Sequence, residues 1–202
     1  MKRTKEEALE TRNALLKAAL KIFSQKGYQS AGLAEIAQEA GVTRGAIYHH
    51  FDGKAEMFIT LVDEASQASS AVIGKAIGEG GSFIEILERI LVRSLQLLEK
   101  DSYFKEVKSL TLYKVGMVQE LAEYNLRREE QTEMLIGQIA QMMMQGIESS
   151  ALRSDLAPEV LARAFVAYQE GLADLYLASP QQFSIVADAP AFARIFLTGV
   201  AE

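Results

Sequence analysis

The chain has 202 residues, no cysteine and three prolines, and its formal net charge at pH 7 is −6. The absence of cysteine excludes disulfide bonds and sites in which thiolates bind a metal. No apolar run approaches the roughly 18 residues that predict a membrane-spanning helix, and the charged amino terminus lacks the apolar region of a secretory signal. These features predict a cytoplasmic protein of one or two domains with no membrane partner.

Positive charge is concentrated near the amino terminus. Residues 1–56 contain nine Lys and Arg against seven Asp and Glu, whereas residues 57–202 contain twelve against twenty. Both histidines, His49 and His50, also lie in the first segment. A basic segment on an acidic body is compatible with DNA binding, but an asymmetry of this size does not by itself establish it.

Helical periodicity begins at about Lys5 and continues to Gln25. Apolar residues recur at spacings of three and four and form one buried stripe: Leu9, Leu15, Leu16, Ala19, Leu20, Ile22 and Phe23. Gly27 would end this helix, because glycine tolerates the left-handed backbone of a helix terminus. The next helix starts at Ala31-Gly32 and so has no hydroxyl cap, and Ser30 is the nearest substitute.

Two short helices joined by a tight turn follow. Residues 33–40 place their apolar side chains on one face, and Gly41 would end that helix with a left-handed residue. Thr43 would cap the second helix through its hydroxyl, and Ile47 and Phe51, four residues apart, would face inward. The outward residues are Arg44, Gly45, Tyr48 and His49. This pattern is typical of a helix-turn-helix, whose second helix enters the major groove of DNA.

The segment from Thr11 to Phe58 resembles the DNA-binding domain of TetR-family transcriptional repressors. The resemblance includes Thr11-Arg12, Ala18-Ala19, Phe23, Gly27-Tyr28, Ile36-Ala37, Ala40-Gly41-Val42, Gly45, Ile47-Tyr48, His50-Phe51, Lys54 and Phe58. It implies an all-α, nine-helix TetR-like architecture. An N-terminal helix-turn-helix three-helix domain would span residues 1–57, and a C-terminal helical ligand-binding and dimerisation domain would span residues 58–202. The alternative is an ordinary helical hairpin with a glycine turn.

The resemblance and the side-chain chemistry together identify candidate DNA contacts: Ser30, Thr43, Arg44, Gly45, Tyr48, His49 and Lys54. Arg44 can bond a guanine edge through two N–H groups, with contact to phosphate alone as the alternative. Tyr48 resembles the family's phosphate-contacting tyrosine, with helix packing as the alternative. Lys54 lies where the family commonly contacts phosphate, near a helix amino terminus. His50 is expected to be partly buried and structural.

Helical segments are also predicted through the rest of the chain. One begins near Lys54 and reaches about residue 77, where Gly78 to Gly81 breaks it. Ser82 and Glu85 form a capping box. It opens a helix with inward residues Phe83, Ile86, Leu87, Ile90, Leu91, Ser94, Leu97 and Leu98. A short helix capped by Asp101 or Ser102 comes next, followed by a long helix from Val118 to Ile147. A further helix runs from Pro158 to Ala178. A loop between Pro180 and Pro190 then leads to a last helix from Phe192 to Val200.

The carboxy-terminal half resembles the branch of the family that represses multidrug efflux pumps. The resemblance rests on Leu112-Tyr113-Lys114, on the run that follows Glu120, and on residues 167–172. It implies a lipophilic small-molecule inducer that contacts Phe104, Leu110, Tyr113, Met117, Met143, Phe165, Gln169 and Glu170. Relatives in this branch often have Cys-Glu-Phe where this chain has Val115-Gly116-Met117, so the range of ligands can differ.

Each group of candidate ligand contacts has a simpler alternative. Methionine and aromatic side chains at helical spacing usually fill a core, although methionine also suits a pocket that adapts its shape. In related efflux repressors the residue before the glycine corresponding to Gly171 is often acidic and faces the ligand, so Glu170 would favour a cation. Otherwise Glu170 is solvated or pairs with Arg163.

A homodimer is predicted, because one reading head, the helix-turn-helix domain of residues 1–57, covers only half of a palindromic operator. The apolar helices 158–178 and 192–200 would pack against their symmetry mates as a four-helix bundle, with Phe196 in the contact. The sequence therefore predicts a ligand-responsive DNA-binding transcriptional repressor of an efflux or detoxification gene. Operator DNA, an inducer and a second copy are its partners, and no cofactor or metal is predicted.

Two other functions are weighed against this prediction. An enzyme is disfavoured because the chain has no cysteine nucleophile, and the histidines that a catalytic triad or a metal site would need lie only in the reading head. The sequence also has no Walker loop and no dinucleotide-binding glycine fingerprint. A helical adaptor that binds protein and not DNA is supported only by the missing hydroxyl cap at Ala31-Gly32.

Overall fold

A computed structural model describes residues 5–115 and 118–201. These residues form nine α-helices: α1 (Lys5–Lys26), α2 (Leu33–Glu39), α3 (Arg44–Ile47), α4 (Lys54–Gly78), α5 (Phe83–Lys100), α6 (Ser102–Tyr113), α7 (Ala122–Glu148), α8 (Pro158–Ala178) and α9 (Ile185–Val200). The predicted all-α class is therefore confirmed. Within the described residues, no helix is long and apolar enough to cross a membrane.

The chain divides into two compact units. The first comprises the described residues up to Ser66 together with those of 106–124, and the second comprises Gln67–Lys105 and the described residues from Asn125 onward. The first unit thus contains α1 to α3, part of α4 and most of α6. The domain boundary predicted at residues 57 and 58 lies within α4, and it stays a prediction.

Aromatic side chains build the core of the first unit. Phe23, Tyr28 and Phe58 are fully buried, and Tyr124 is nearly so. The ring centroids of Phe23 and Tyr28 are 5.4 Å apart, those of Tyr28 and Phe58 are 5.4 Å apart, and those of Phe58 and Tyr124 are 5.1 Å apart. This aromatic chain joins α1, the α1–α2 connector, α4 and the first turn of α7, so Phe23 has the structural role that the sequence predicts.

In the second unit, α5 begins with the predicted capping box. The Ser82 hydroxyl accepts from the Glu85 N–H at 3.4 Å, and the Glu85 carboxylate accepts from the Ser82 N–H at 2.8 Å. Of the residues expected to face inward, Leu87, Ile90, Leu91 and Leu98 are buried. Ser94 is only partly buried, and the neighbouring Leu95 fills the core in its place.

The predicted loop between Pro180 and Pro190 is wrong, because α9 begins at Ile185 and includes Pro190. Proline lacks the N–H that would bond the carbonyl four residues earlier, at Val186. The Gln96 side chain on α5 donates to that carbonyl at 3.4 Å instead. A side chain distant in sequence thus replaces the missing backbone donor and lets the helix continue through proline.

Two further predictions change in the carboxy-terminal part. The long helix begins at Ala122 and not at Val118, because the segment opens with a 3-10 turn over Gln119–Leu121. Phe196 is buried within its own unit, with its ring centroid 5.6 Å from that of Phe165 and 5.4 Å from that of Tyr168. The expectation that Phe196 faces a partner is therefore wrong. Pro158 does occupy the first turn of α8, as predicted.

Gly146 on α7 lies where neighbouring side chains leave no room for a Cβ atom. A Cβ atom added there would lie 2.6 Å from the Phe83 ring and 2.8 Å from the Leu152 side chain. We expect Gly146→Ala to destabilise the protein by about 1–3 kcal/mol through overpacking. The measurement is the midpoint of urea unfolding followed by circular dichroism.

Gly137→Ala on the same helix is the matched control, since a Cβ atom there meets nothing within 4 Å. Alanine is a better helix former than glycine by about 1 kcal/mol, so this variant should be stabilised. Equal midpoints for the two variants would contradict the packing described at Gly146.

Candidate nucleic-acid interface

The turn between α2 and α3 is built on Gly41. This residue has φ 69°, a left-handed conformation that glycine adopts without a Cβ penalty. The Val42 N–H donates to the Ala37 carbonyl at 2.9 Å, and the Gly41 N–H donates to the Gln38 carbonyl at 3.1 Å. This pair of bonds is a Schellman motif, which satisfies the last carbonyls of α2 and reverses the chain. The role predicted for Gly41 is confirmed.

Thr43 starts α3 as its amino-terminal cap. Its Oγ1 accepts from the Ala46 N–H at 3.3 Å, as the sequence predicts. Beyond α3 the chain keeps turning, since the N–H groups of His50 and Phe51 both donate to the Ile47 carbonyl, at 2.9 and 2.8 Å. Ile47 and Phe51 are buried, which confirms their predicted inward orientation and fixes the rotation of α3.

The outward side of α3 presents the residues predicted for it. Arg44, Gly45, Tyr48 and His49 are all exposed, and the side chain of Tyr48 leaves 52% of its surface accessible. These four exposed residues lie within residues 44–49, around the buried Ile47, so the structure brings them close together. His50 is partly buried, as expected.

The start of α2 differs from the prediction. Gly32 is the amino-terminal cap, no side-chain oxygen caps the helix, and Ser30 is exposed, so the idea that Ser30 replaces the missing hydroxyl is wrong. Glu35 takes part of the role, because its carboxylate accepts from the Gly32 N–H at 3.3 Å. Bonds from Lys26 and from the Gly32 N–H hold the pKa of Glu35 below its ordinary value. Sequence reasoning missed this residue, although the spacing from Gly32 to Glu35 is that of a capping box.

Several cations of the first unit are paired within it. The Lys21 ammonium lies 2.6 Å from the Glu39 carboxylate, and Lys26 pairs with Glu35. Arg12 lies 3.6 Å from the Glu64 carboxylate. These pairs attach α2 and α4 to α1, so much of the positive charge counted in the sequence serves the fold. Arg44, by contrast, has no ion-pair partner among the residues that the structure describes.

Lys54 is partly buried and turned toward the connector between α1 and α2. Its Nζ lies 3.3 Å from the Gln29 carbonyl oxygen and 3.4 Å from that of Ala31. The same atom is 4.5 Å from the centroid of the Tyr28 ring. The predicted phosphate-contacting lysine therefore makes three contacts inside its own unit.

The candidate ligand residues are divided between the two units and, within the second unit, between two apolar clusters. Met143 and Phe165 are buried in the same apolar cluster of the second unit. Phe104 packs against a different cluster. Leu110 and Tyr113 belong to the first unit, where Leu110 is buried and Tyr113 is exposed. Met117 lies outside the described residues.

The remaining candidates lie on α8, where Gln169 is partly buried and Glu170 is exposed. The low-dielectric setting expected for the Glu170 carboxylate is therefore not found within the second unit alone. A depression of about 550 Å³ opens on the surface of this unit. It is lined by Gly137, Ala140, Gln141, Met144, Gln145, Glu148 and Glu159, and includes none of the predicted ligand residues.

Comparisons with known proteins agree with this geometry. Residues 15–61 match the bacterial regulatory proteins of the tetR family, and residues 83–201 match the carboxy-terminal region of MAATS-type transcriptional repressors. The HTH-type transcriptional regulator AcrR of Shigella flexneri is 32% identical over 201 residues, which cover 97% of this chain and 92% of AcrR. The HTH-type transcriptional repressor BepR of Brucella suis is 29% identical over 187 residues, or 92% of this chain and 90% of BepR.

Solved structures give the same result. The crystal structure of NalD, the secondary repressor of the MexAB-OprM multidrug efflux pump in Pseudomonas aeruginosa, is 26% identical with a TM-score of 0.83. The match covers 96% of this chain and 98% of NalD. The SmeT–triclosan complex, at 19% identity and a TM-score of 0.80, shares the fold. With both sequence regions and the whole fold matched, this chain belongs to the TetR family of bacterial transcriptional regulators.

Proposed function

We propose that the protein is a ligand-responsive repressor that binds a palindromic operator as a homodimer and controls an efflux or detoxification gene. The observation that carries the proposal is the outward side of α3, where Arg44, Gly45, Tyr48 and His49 share one exposed face. The turn at Gly41 precedes α3 and fixes its direction, so the face already has its orientation in the protein without DNA. The efflux assignment rests on similarity to regulators such as NalD, and a regulator of this kind acts in the cytoplasm.

Each residue on the α3 face has a chemical role in the proposed complex. Arg44 lies at the start of α3, where the residues of a recognition helix meet base edges, and its guanidinium suits the N7 and O6 atoms of guanine. Tyr48 and His49 donate to phosphate oxygens, which fixes the register of the helix in the groove. Thr43 and Ser30 are further phosphate contacts through their hydroxyl groups.

Exposed apolar side chains on α8 and α9 support the proposed homodimer. Leu175 leaves 62% of its surface accessible and Ile195 leaves 64%, and Val160 is also exposed. Isolated apolar residues are common on protein surfaces, but these three lie on two adjoining helices that are otherwise strongly apolar. A second copy of the same two helices would cover them in a symmetric contact.

The proposed inducer is a lipophilic molecule that binds in the second unit and favours the state that cannot bind DNA. The apolar side chains around Met143 and Phe165 are the proposed contacts, with Phe104, Gln169 and Glu170 at the margins. Release requires only that the ligand prefer that state, and about 1–3 kcal/mol of coupling is typical.

Gly45→Ala tests the DNA-binding face by moving stability and affinity in opposite directions. A Cβ atom at Gly45 meets only the Thr43 Oγ1, at 3.9 Å, so the fold has room for alanine. Alanine should stabilise α3 by up to about 1 kcal/mol, yet the methyl group should weaken operator binding by about tenfold, the scale of one lost contact. The measurements are thermal unfolding and fluorescence anisotropy with promoter DNA from beside the protein's own gene.

Gly74→Ala is the control, because at this exposed position on α4 an added Cβ atom meets nothing within 4 Å. It should share the gain in stability without losing affinity. If Gly45→Ala binds the promoter as tightly as the wild type, the face does not meet DNA. If the wild type itself does not bind the promoter DNA, the alternative of a helical adaptor that binds protein is favoured.

Ile195→Glu tests the dimer, since a charge placed in a symmetric apolar contact meets its own copy and must be desolvated. We expect sedimentation at micromolar concentration to give about the mass of one folded chain, against twice that mass for the wild type. Leu9→Glu, an equally exposed site on α1, should remain dimeric. A dimeric Ile195→Glu protein would exclude this part of α9 from the interface.

Glu170→Gln tests whether the carboxylate selects the inducer. An exposed carboxylate is well solvated and interacts only weakly with a cation. We therefore expect a loss of less than about threefold for a cationic lipophilic ligand, and none for a neutral ligand of the same shape, in calorimetric titrations of wild type and variant. Glu133→Gln, an exposed site on α7, controls for net charge. A loss of tenfold or more confined to the cation would mean that Glu170 lies inside the ligand site.

A further inference from the structure

Lys114, the residue that follows α6, bonds both the end of α1 and the connector between α1 and α2, residues 27–32. Its carbonyl oxygen accepts from the Tyr28 N–H at 3.0 Å, and its ammonium group donates to the Ser24 carbonyl in the last turn of α1. All three residues belong to the first unit. A basic side chain stabilises a helix end when it bonds one of the last carbonyls, which have no donor within the helix. One residue from a later helix therefore bonds the chain on both sides of the point where α1 ends.

Gly27 lies between the two bonded residues and lets the connector approach Lys114. Its φ is 78°, a left-handed conformation in which most side chains would be strained. A Cβ atom added there would lie 3.4 Å from the Lys114 carbonyl oxygen. The Gly27 N–H donates to the Phe23 carbonyl at 2.8 Å, so the glycine also ends α1. This turn thus combines a helix end with a close contact to Lys114.

Lys114 is held in place by its neighbours in the chain. Its N–H continues α6 by donating to the Leu110 carbonyl at 3.0 Å, and the side chains of Leu110 and Val115 are buried. Leu121 is buried in the segment that follows. Packing therefore fixes the backbone from which Lys114 makes its two bonds, so these bonds give the connector a fixed point of attachment.

The connector matters for DNA binding because it leads directly into α2. It contains Ser30, a proposed phosphate contact, and it ends at Gly32, which caps α2 without a side-chain oxygen. The ion pairs that join α2 to α1 are partly exposed, and such pairs contribute little to stability. Lys54 bonds two carbonyls of the connector, and Lys114 bonds its start at Tyr28. The path of the connector therefore determines where Ser30 and the start of α2 lie.

We propose that Lys114 is a positioning residue for operator binding: its bonds to Ser24 and Tyr28 set the path of the connector, and through it the position of Ser30 and α2. The proposal rests on the proposed operator binding. In this role Lys114 acts through the connector and from outside the helix-turn-helix. A lysine that only stabilised the fold would change the unfolding midpoint and leave the operator affinity of the folded protein unchanged.

Lys114→Met separates these roles, because it keeps the unbranched stem and the backbone carbonyl and removes only the ammonium group. The measurement is fluorescence anisotropy with promoter DNA and with unrelated DNA of equal length, at several salt concentrations and well below the unfolding temperature. We expect promoter affinity to fall about threefold to fivefold, since loss of one exposed charged contact lowers the share of molecules whose connector has the binding conformation. Affinity for unrelated DNA should change little. Lys114→Arg, which retains the charge and the donors, should restore promoter affinity.

Lys17→Met is the matched control, since this exposed lysine on α1 undergoes the same charge change. It should bind the promoter about as tightly as the wild type. Unchanged promoter affinity of Lys114→Met would overturn the proposal. Equal weakening on both DNAs, with a salt slope reduced by about 0.9, would also overturn it, because that result is expected for a lost phosphate contact. Failure of the wild type to bind the promoter would instead refute the proposed function.

Hydrogen exchange of the free protein gives a second test that needs no DNA. The amides of residues 27–33 should exchange faster in Lys114→Met than in the wild type, whereas those of α5 and α9 should not change. Equal exchange across the connector would refute the positioning role. Gly27→Ala perturbs the same contact from the connector side, through a Cβ atom close to the Lys114 carbonyl. It provides the same test should Lys114→Met be insoluble.

Discussion

The reading head depends on one backbone constraint, the left-handed residue between α2 and α3. Only a residue that accepts φ near 69° lets the Val42 and Gly41 N–H groups reach back to α2 while Thr43 caps α3. α3 has four residues and could not form a stable helix in isolation. It exists because its cap, the turn before it and the burial of Ile47 and Phe51 act together.

Charged side chains of the first unit also hold its helices together. A net charge of −6 and a small excess of cations before residue 57 give a weak signal for DNA binding. The structure explains why the number of cations is a weak predictor of DNA binding in this protein. Lys21, Lys26 and Arg12 pair with carboxylates of their own unit, and Lys54 bonds backbone carbonyls. Arg44 stays available on the exposed face, so the position of charge matters more for recognition than its sum.

The features that sequence could predict are those governed by local chemistry. A glycine at a helix terminus, a threonine cap and an inward pair four residues apart each depend on neighbours in the chain, and all three were predicted correctly at Gly41, Thr43 and Ile47 with Phe51. The capping box of α5 belongs to the same class. These local rules sufficed to predict the turn between α2 and α3 and the cap of α3, whereas the start of α2 was predicted incorrectly.

Features that depend on distant residues were predicted incorrectly or not at all. Pro190 suggested a loop, but the Gln96 side chain supplies a donor from another helix. Phe196 looked like a partner contact, yet Phe165 and Tyr168 bury it within the unit. The candidate ligand residues stay a prediction, because helical spacing identifies an apolar face without identifying what that face contacts.

The central claim is that the α3 face reads base edges, and Arg44 tests it most directly. The measurement is the affinity of wild type and Arg44→Ala for a set of operators in which each base pair is changed in turn. A bidentate contact to guanine is worth about 1–3 kcal/mol of discrimination. The account predicts that Arg44→Ala loses its preference at one base pair in each half-site and keeps it elsewhere. Uniform weakening on every operator would show that Arg44 contacts phosphate alone and would contradict the account.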